Sequence, residues 1–255
     1  MKRRIVLLGT GTGVGKTFVG ALLARSLGRA GHSVLGLKPI ESGVPALVEP
    51  SNSGASWAQP HAEGPTDAAT LSAASGLDLG HFRAFADPVS PHLAARRAGQ
   101  SIEVNEVVDW VAEQERSHPE RTLTLVETAG GVLSPLGDRT TNFDLALALD
   151  PAVFVLVAPD ALGVLHDVAA TLLACRALGR VPDVVVLSGA RPADASSGAN
   201  AEELTRVVFP RLAALGAALP GGSAAPAQTQ VDTVAAGAHV CESFVSAVLG
   251  ALGRR

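Results

Sequence analysis

Hydrophobic positions along the chain fall into two alternating kinds of stretch. Short continuous apolar runs occur at residues 5–8, 33–37, 123–126, 152–158 and 183–187, and between them apolar residues recur every three or four positions. Continuous runs of that length, rich in Val, Leu and Ile, predict strands buried on both faces. The longer period predicts helices after residue 17, at 68–75, from Pro91, and over about 104–116, 143–149, 163–178, 201–215 and 238–252. Strands that alternate with helices require crossover connections, so the expected architecture is α/β, with a doubly wound, mainly parallel sheet covered by helices on both faces.

The ends of these elements carry local signals. Gly31 offers a helix stop, Thr66 can cap a helix with Asp67 in its first turn, and Ser90 stands before Pro91 as an N-cap before a first-turn proline. Residues 44–65 are rich in Pro, Ser, Ala and Gly without a period, which predicts a flexible surface loop. Near the C-terminus, Pro220-Gly-Gly222 predicts a turn and the Ala, Gln and Thr that follow read as a low-complexity link before the last helix. There is no internal repeat, and the chain is expected to form one domain over residues 1–255.

Composition narrows the function classes. Across 255 residues the net charge is −4 and Lys and Arg are scattered, so the basic face needed for nucleic acid is missing. No long apolar stretch or small-residue cleavage site marks a membrane span or signal peptide, and a cytoplasmic protein is expected. Cys175 and Cys241 lie far apart within apolar helical patterns, as buried small hydrophobes do in a reducing compartment.

Chemistry concentrates at the beginning of the chain. The first strand runs into Gly9-Thr-Gly-Thr-Gly-Val-Gly-Lys-Thr17, and a helix follows. A glycine-rich turn between strand and helix gathers backbone N–H groups and the positive end of a helix dipole around polyanionic phosphate. Lys16 would reach the terminal phosphates and the Thr17 hydroxyl would ligate magnesium. The spacing is a variant, because Thr10 holds the usual first-glycine position and Gly9 comes one residue earlier. Further on, Lys38 and Ser42 follow the second strand, where the ligand crevice of a doubly wound sheet opens. Glu127 ends the buried strand 123–126, and a buried carboxylate needs a partner, which a magnesium ion supplies in nucleotide hydrolases. On spacing alone Asp67 is a helix-start acid, and His92 alone reads as a structural histidine.

Taken together, Gly9–Thr17, Lys38-Pro-Ile-Glu-Ser-Gly43, Thr66-Asp67, Pro88-Val-Ser-Pro-His92, Val126-Glu-Thr-Ala-Gly-Gly131 with Pro135-Leu136, and Ala161-Leu-Gly163 resemble the dethiobiotin synthetases. These are ATP-dependent carboxylase-cyclases of biotin synthesis with a P-loop fold. The resemblance implies that carbon dioxide is captured on one amine of 7,8-diaminononanoate, that ATP phosphorylates the carbamate, and that the second amine closes a ureido ring. It implies Lys16, Lys38 and Thr12 around the reacting groups, and Gly13, Val14, Gly15, Lys16, Thr17, Phe18 and Ser188 around the nucleotide. Thr17, Asp67 and Glu127 would hold magnesium. Ser42, Pro91, His92, Ala129, Gly130, Gly131, Gly163 and His166 would meet the diamine or its carbamate. Members are usually homodimers with substrate near the subunit interface.

The chain departs from the family pattern at four positions. Gly11 stands where an aspartate is usual, Thr128 in a glycine-rich run, and His166 where asparagine is common. Ser188 replaces an asparagine that reads the adenine. Ordinary φ is expected at Thr128, because a β-branched residue is strained at positive φ. Three other readings share the phosphate loop: a regulatory ATPase that switches by nucleotide-dependent dimerisation, a nucleotide-binding homologue without synthetase activity, and an amidating synthase of cobalamin type. The switch would use a terminal basic amphipathic helix, but residues 238–252 contain no Lys or Arg. The amidating synthase would need a glutaminase domain, for which the chain has no room.

Overall fold

The computed structural model describes residues 3–44, 65–217, 230–235 and 242–254. Its main sheet contains β1 (Arg3–Gly9), β2 (Val34–Leu37), β5 (Leu123–Glu127), β6 (Val153–Pro159), β7 (Val184–Gly189) and β8 (Gln230–Ala235). They lie in the order β2-β5-β1-β6-β7-β8, and every pairing is parallel. Two further strands, β3 (Ile40–Ser42) and β4 (Arg83–Phe85), form a separate parallel pair beyond β2.

Alternation along each strand divides the core in two. In β1, Ile5 and Leu7 face one layer while Val6 and Leu8 face the other; in β6, Val153, Val155 and Val157 oppose Phe154, Leu156 and Ala158. With both faces covered, the strands tolerate no polar alternation, and this is why they appear as continuous apolar runs. The first layer is closed by α1 (Lys16–Arg29), α2 (Asp67–Ala74) and α9 (Glu242–Gly253), through Val19, Leu23, Leu27, Leu71, Phe244 and Val248. The second is closed by α3 (Pro91–Arg97), α4 (Val104–Ser117), α5 (Asn142–Ala148), α6 (Val164–Ala177), α7 (Asn200–Glu203) and α8 (Phe209–Ala217). Between α7 and α8 the backbone widens into a π-turn at Leu204–Val208, so the helix expected over 201–215 is continuous in direction but not in pitch.

Several local expectations hold. Gly31 has φ +88°, and the His32 amide closes the end of α1 on the Leu27 carbonyl at 3.0 Å. The Thr66 side chain accepts the Ala69 amide at 3.1 Å. Ser90 holds the N-cap position of α3, but its hydroxyl turns to His92 Nδ1 at 3.1 Å and caps no amide. Thr128 avoids positive φ, since Asp150 is the one non-glycine in that region among the described residues.

The sequence reading is corrected at two places. Part of the supposed low-complexity link is strand β8, paired with β7 from Val184↔Gln230 to Gly189↔Ala235. Its alternation is short and set among small residues, so the parallel edge of β7, rather than local pattern, determines its conformation. The segment after Lys38 likewise holds β3, which pairs across sequence with β4 at Ile40↔Arg83 and Ser42↔Phe85. The expected loop at 44–65 falls almost wholly outside the described residues, as do the turn at 220–222, residues 238–241 of the last helix and Cys241. Cys175 is buried, as expected.

Candidate functional site

β1 lies between β5 and β6, while the chain leaves it through α1 to β2 on the far side of β5. The direction of winding therefore reverses beside β1, and the crevice opens at the carboxyl ends of β1, β2 and β5. A cavity of about 530 Å3 occupies that crevice, lined on one side by Thr12, Gly13, Gly15, Lys16 and Thr17 and on the other by Lys38, Asp67, Glu127 and residues 88–91.

The phosphate loop forms as its residue types require. Gly13 and Gly15 have φ of +67° and +93°, and a Cβ at Gly15 would fall 2.1 Å from Ser188 Oγ. No L side chain fits there, so the loop can bring its amides toward one point only with glycine at this position. Lys16 begins α1, is 6% exposed, and donates from Nζ to the Gly11 carbonyl at 3.2 Å. Burial in this pocket, with the Lys38 charge adding to it against the opposing pull of Glu127 and Asp67, brings the Lys16 pKa down to about 8.

Opposite the loop, three side chains from three elements meet. Glu127, at the end of β5 and only 1% exposed, accepts at Oε1 from Lys38 Nζ and from Thr17 Oγ, each at 2.8 Å. Lys38 also donates to Asp67 Oδ2 at the start of α2. Burial opposes the Lys38 charge, yet Glu127 and Asp67 together raise its pKa above the usual lysine range. The other oxygen of Glu127, Oε2, is buried and has no hydrogen-bond partner. Among the described residues no three His, Cys, Asp or Glu side chains gather, so the available donors are two carboxylates and a hydroxyl. An all-oxygen set with one orphaned buried oxygen suits a hard divalent cation that keeps water or phosphate as its remaining ligands.

The rest of the expected residues separate into those on the cavity and those off it. Thr12, Ser42, Pro91, Ala129 and Gly130 line it. The Ser42 hydroxyl donates to the Val89 carbonyl at 2.7 Å, which ties the second motif to the wall at 88–91. Gly131 does not line the cavity; its amide donates to Ser134 Oγ at 2.9 Å, and the carbonyls of Ala129 and Gly131 accept from Asn142. The amide cradle expected at 129–131 is therefore reduced at its Gly131 end. Val14 and Phe18 stand in the loop and first turn with their side chains directed to the core layer of α1. His92 borders a neighbouring cleft. Ser188 is buried beneath Gly15 and accepts the Ala190 amide at 3.3 Å, so its side chain faces the loop's underside. Gly163 and His166, at the start of α6, are exposed and stand apart from the cavity lining.

Two residues at the site carry no expected role. Glu41 lines the cavity, and an acid beside Lys38 and Ser42 near a strand's carboxyl end was the available signal. Arg191 lies over the phosphate loop, donating from Nε to the Gly13 carbonyl at 3.1 Å; nothing in the loop sequence 188–198 marks it.

Comparison with known proteins agrees with this layout. A family model described as an AAA domain matches residues 3–218. A Mycobacterium avium protein named ATP-dependent dethiobiotin synthetase is 37% identical over 249 residues, covering 96% of this chain and 99% of its own length. Relatives of the same name from Corynebacterium glutamicum, 35% identical over 78% of this chain, and from Anaeromyxobacter, 37% identical over 80%, cover 80% and 85% of their own lengths. With its phosphate loop, paired lysines and buried strand-end acid in one crevice, and with relatives matched over 78–96% of its length, this chain belongs to the dethiobiotin synthetase family.

Proposed function

We propose that the chain catalyses ATP-dependent formation of dethiobiotin from 7,8-diaminononanoate and carbon dioxide. The observation that carries this is the convergence of Lys16, from the start of α1, and Lys38, from the end of β2, on one cavity that also holds Asp67 and Glu127. A simple nucleotide switch has no use for the second buried lysine. A reaction that brings a carbamate up to a triphosphate does, because several anionic oxygens must be held together.

One amine nitrogen bonds to the carbon of carbon dioxide and loses a proton, giving a carbamate. A carbamate oxygen then attacks the terminal phosphorus of ATP, and ADP leaves with the electron pair of the broken P–O bond. Finally the second amine attacks the carbamoyl carbon, losing a proton, and phosphate departs as the ring closes. Lys16 draws the transferring phosphoryl group into the loop, while Lys38, Thr12 and Ser42 hold the carbamate in line with it. These residues work by orientation and charge, so no side-chain nucleophile is needed. Magnesium, held by Thr17, Asp67 and Glu127, would offset the charge of the terminal phosphates. The orphaned Glu127 Oε2 supports that assignment.

The cavity is large enough for the diamine and the terminal phosphates together. The first turn of α6 offers its helix N-terminus to the substrate carboxylate, beside the Leu162 amide that Asp194 Oδ2 already accepts at 2.8 Å, and because no residue of that turn lines the cavity within one chain, a homodimer in which a second copy delivers it is part of this reading. No helix among the described residues is long and apolar enough to cross a membrane, and we assign the enzyme to the cytoplasm.

The test is phosphate release from ATP, magnesium and bicarbonate with and without 7,8-diaminononanoate, with mass spectrometry for the cyclic urea. Diamine-dependent turnover that yields the urea and disappears in Lys16→Ala is expected. ATP hydrolysis indifferent to the diamine, with no urea formed, would overturn the proposal.

A further inference from the structure

Asp67 is the least secured member of the site. Its side chain is 46% exposed, and it stands at the first position of an eight-residue helix. Glu127, by contrast, is fixed at the end of a central strand. A half-exposed carboxylate at a helix start has several accessible rotamers and a backbone prone to fray. Something must hold the start of α2 against the sheet for Asp67 to meet Lys38 reproducibly.

The group in place to do so is Glu41. Its side chain is 11% exposed, and its two oxygens take different amides of the helix start: Oε1 accepts from Asp67 N and Oε2 from Ala68 N, each at 3.0 Å. Oε2 also pairs with His81 Nε2 at 2.7 Å. Glu41 is the central residue of β3, and His81 precedes β4, whose register with β3 sets Glu41 opposite Ala84. The Pro39 carbonyl accepts the Phe82 and Arg83 amides at 2.8 and 2.9 Å, which fastens the same segment a second time. The pair β3–β4 is thus a small platform at the cavity wall, whose inward acid grips the first amides of α2. Burial alone would work against the charge of Glu41. Hydrogen bonds from His81 and Asp67, the nearby Lys38 charge and the Ala68 amide outweigh it, and its pKa lies below the ordinary carboxylate range. The carboxylate is also stabilised by the positive end of the α2 dipole.

We infer that Glu41, oriented by His81, is a positioning residue that clamps the N-terminus of α2 and so presents Asp67 to Lys38 and to the divalent cation of the proposed reaction. The inference rests on the magnesium assignment made above. It acts through backbone amides and leaves the phosphate loop untouched, so its loss should weaken the cation while sparing the nucleotide. Thr66, which still caps Ala69 N, keeps α2 folded when Glu41 is removed.

The experiment is calorimetric titration of ADP into the purified protein, in EDTA and at a series of magnesium concentrations, for wild type, Glu41→Ala, Glu41→Gln and Lys16→Ala. In wild type, magnesium should tighten ADP binding, and Lys16→Ala should weaken binding under both conditions. Glu41→Ala is expected to raise the magnesium concentration needed for half of the effect by about tenfold, in the range seen when a partner that orients a metal ligand is removed. ADP affinity in EDTA should stay within about twofold of wild type. Glu41→Gln, which retains an acceptor for one of the α2 amides and a hydrogen-bonding partner for His81, should recover most of the loss. An unchanged magnesium dependence in Glu41→Ala, or an equal loss in EDTA, would overturn the role of Glu41 alone. A wild-type protein whose ADP affinity ignored magnesium would overturn the cation assignment, and the role of Glu41 with it.

Discussion

Two places at the carboxyl edge of the sheet are built for anions in opposite ways. At the ends of β1, β2 and β5, Lys16, Lys38 and Glu127 are nearly inaccessible, and each charge faces another at contact distance or sits beside a backbone acceptor. At the start of α6, Leu162 is 87% exposed, Gly163 at φ +97° makes no side-chain cap, and His166 is open to solvent. Charges can be taken from water only where partners await them, so the first site must be complete within one chain. A helix N-terminus needs no such protection, because its amides are hydrated until a ligand or another surface arrives. In the function proposed above, the first region carries the reaction, and the second is left for what the chain meets from outside.

The strongest way to break this contrast is Lys38→Met, which keeps an apolar stem and removes the ammonium. Turnover is expected to fall roughly a thousandfold, the cost of losing a preorganised charge aimed at the reacting group. Because Glu127 is left with a single hydrogen bond from Thr17, denaturant unfolding should also show a loss of about 3 kcal/mol. A stable Lys38→Met protein with ordinary turnover would show that the buried cluster is structural only.

Lys16 gives the contrast a pH dependence. Its charge favours bound phosphate, and in the free site burial brings its pKa to about 8. Below about pH 7 the ammonium is present before and after binding, and ADP affinity should be flat. Above about pH 8 a proton must be taken up on binding, so affinity should fall by roughly tenfold per unit until the pKa of the complex is reached. Calorimetry in two buffers of different ionisation enthalpy checks the sign: uptake of about half a proton is expected at pH 8. Release instead of uptake would contradict the assignment.

The same contrast explains what could be read from the chain before its structure. Strands such as 152–158 were legible because burial on both faces removes every polar position, and the phosphate loop was legible because only glycines permit it. Lys38 and Glu127 could be placed because each ends a visible strand. β3 and β8 could not, since their conformations come from edges supplied by β4 and β7 rather than from their own residues. Asp67 was recognisable as a helix-start acid, but its contact with Lys38 spans residues far apart in sequence and depends on Glu41, whose clamp on α2 no local pattern shows. The resemblance suggests a role for it where spacing could not. It also placed Gly131 in the amide cradle, and here the structure redirects that amide to Ser134.

The smallest expected effect is also the one that sharpens the contrast most. His166→Ala, on the exposed first turn of α6, removes a side chain without touching the helix amides that are assigned to the substrate carboxylate. A charge or hydrogen bond near a helix N-terminus is worth about 0.3–1 kcal/mol, so the KM for 7,8-diaminononanoate should rise by roughly two- to fivefold. Neither kcat at saturating diamine nor ADP affinity should move, because the phosphate loop and the buried cluster share no contact with His166. Steady-state kinetics with each substrate varied in turn separates the outcomes. A fall in kcat would mean that the start of α6 reaches the reacting groups and that the two regions are a single site. An unchanged KM would remove His166 from the substrate and leave the carboxylate to the amides after Gly163 alone.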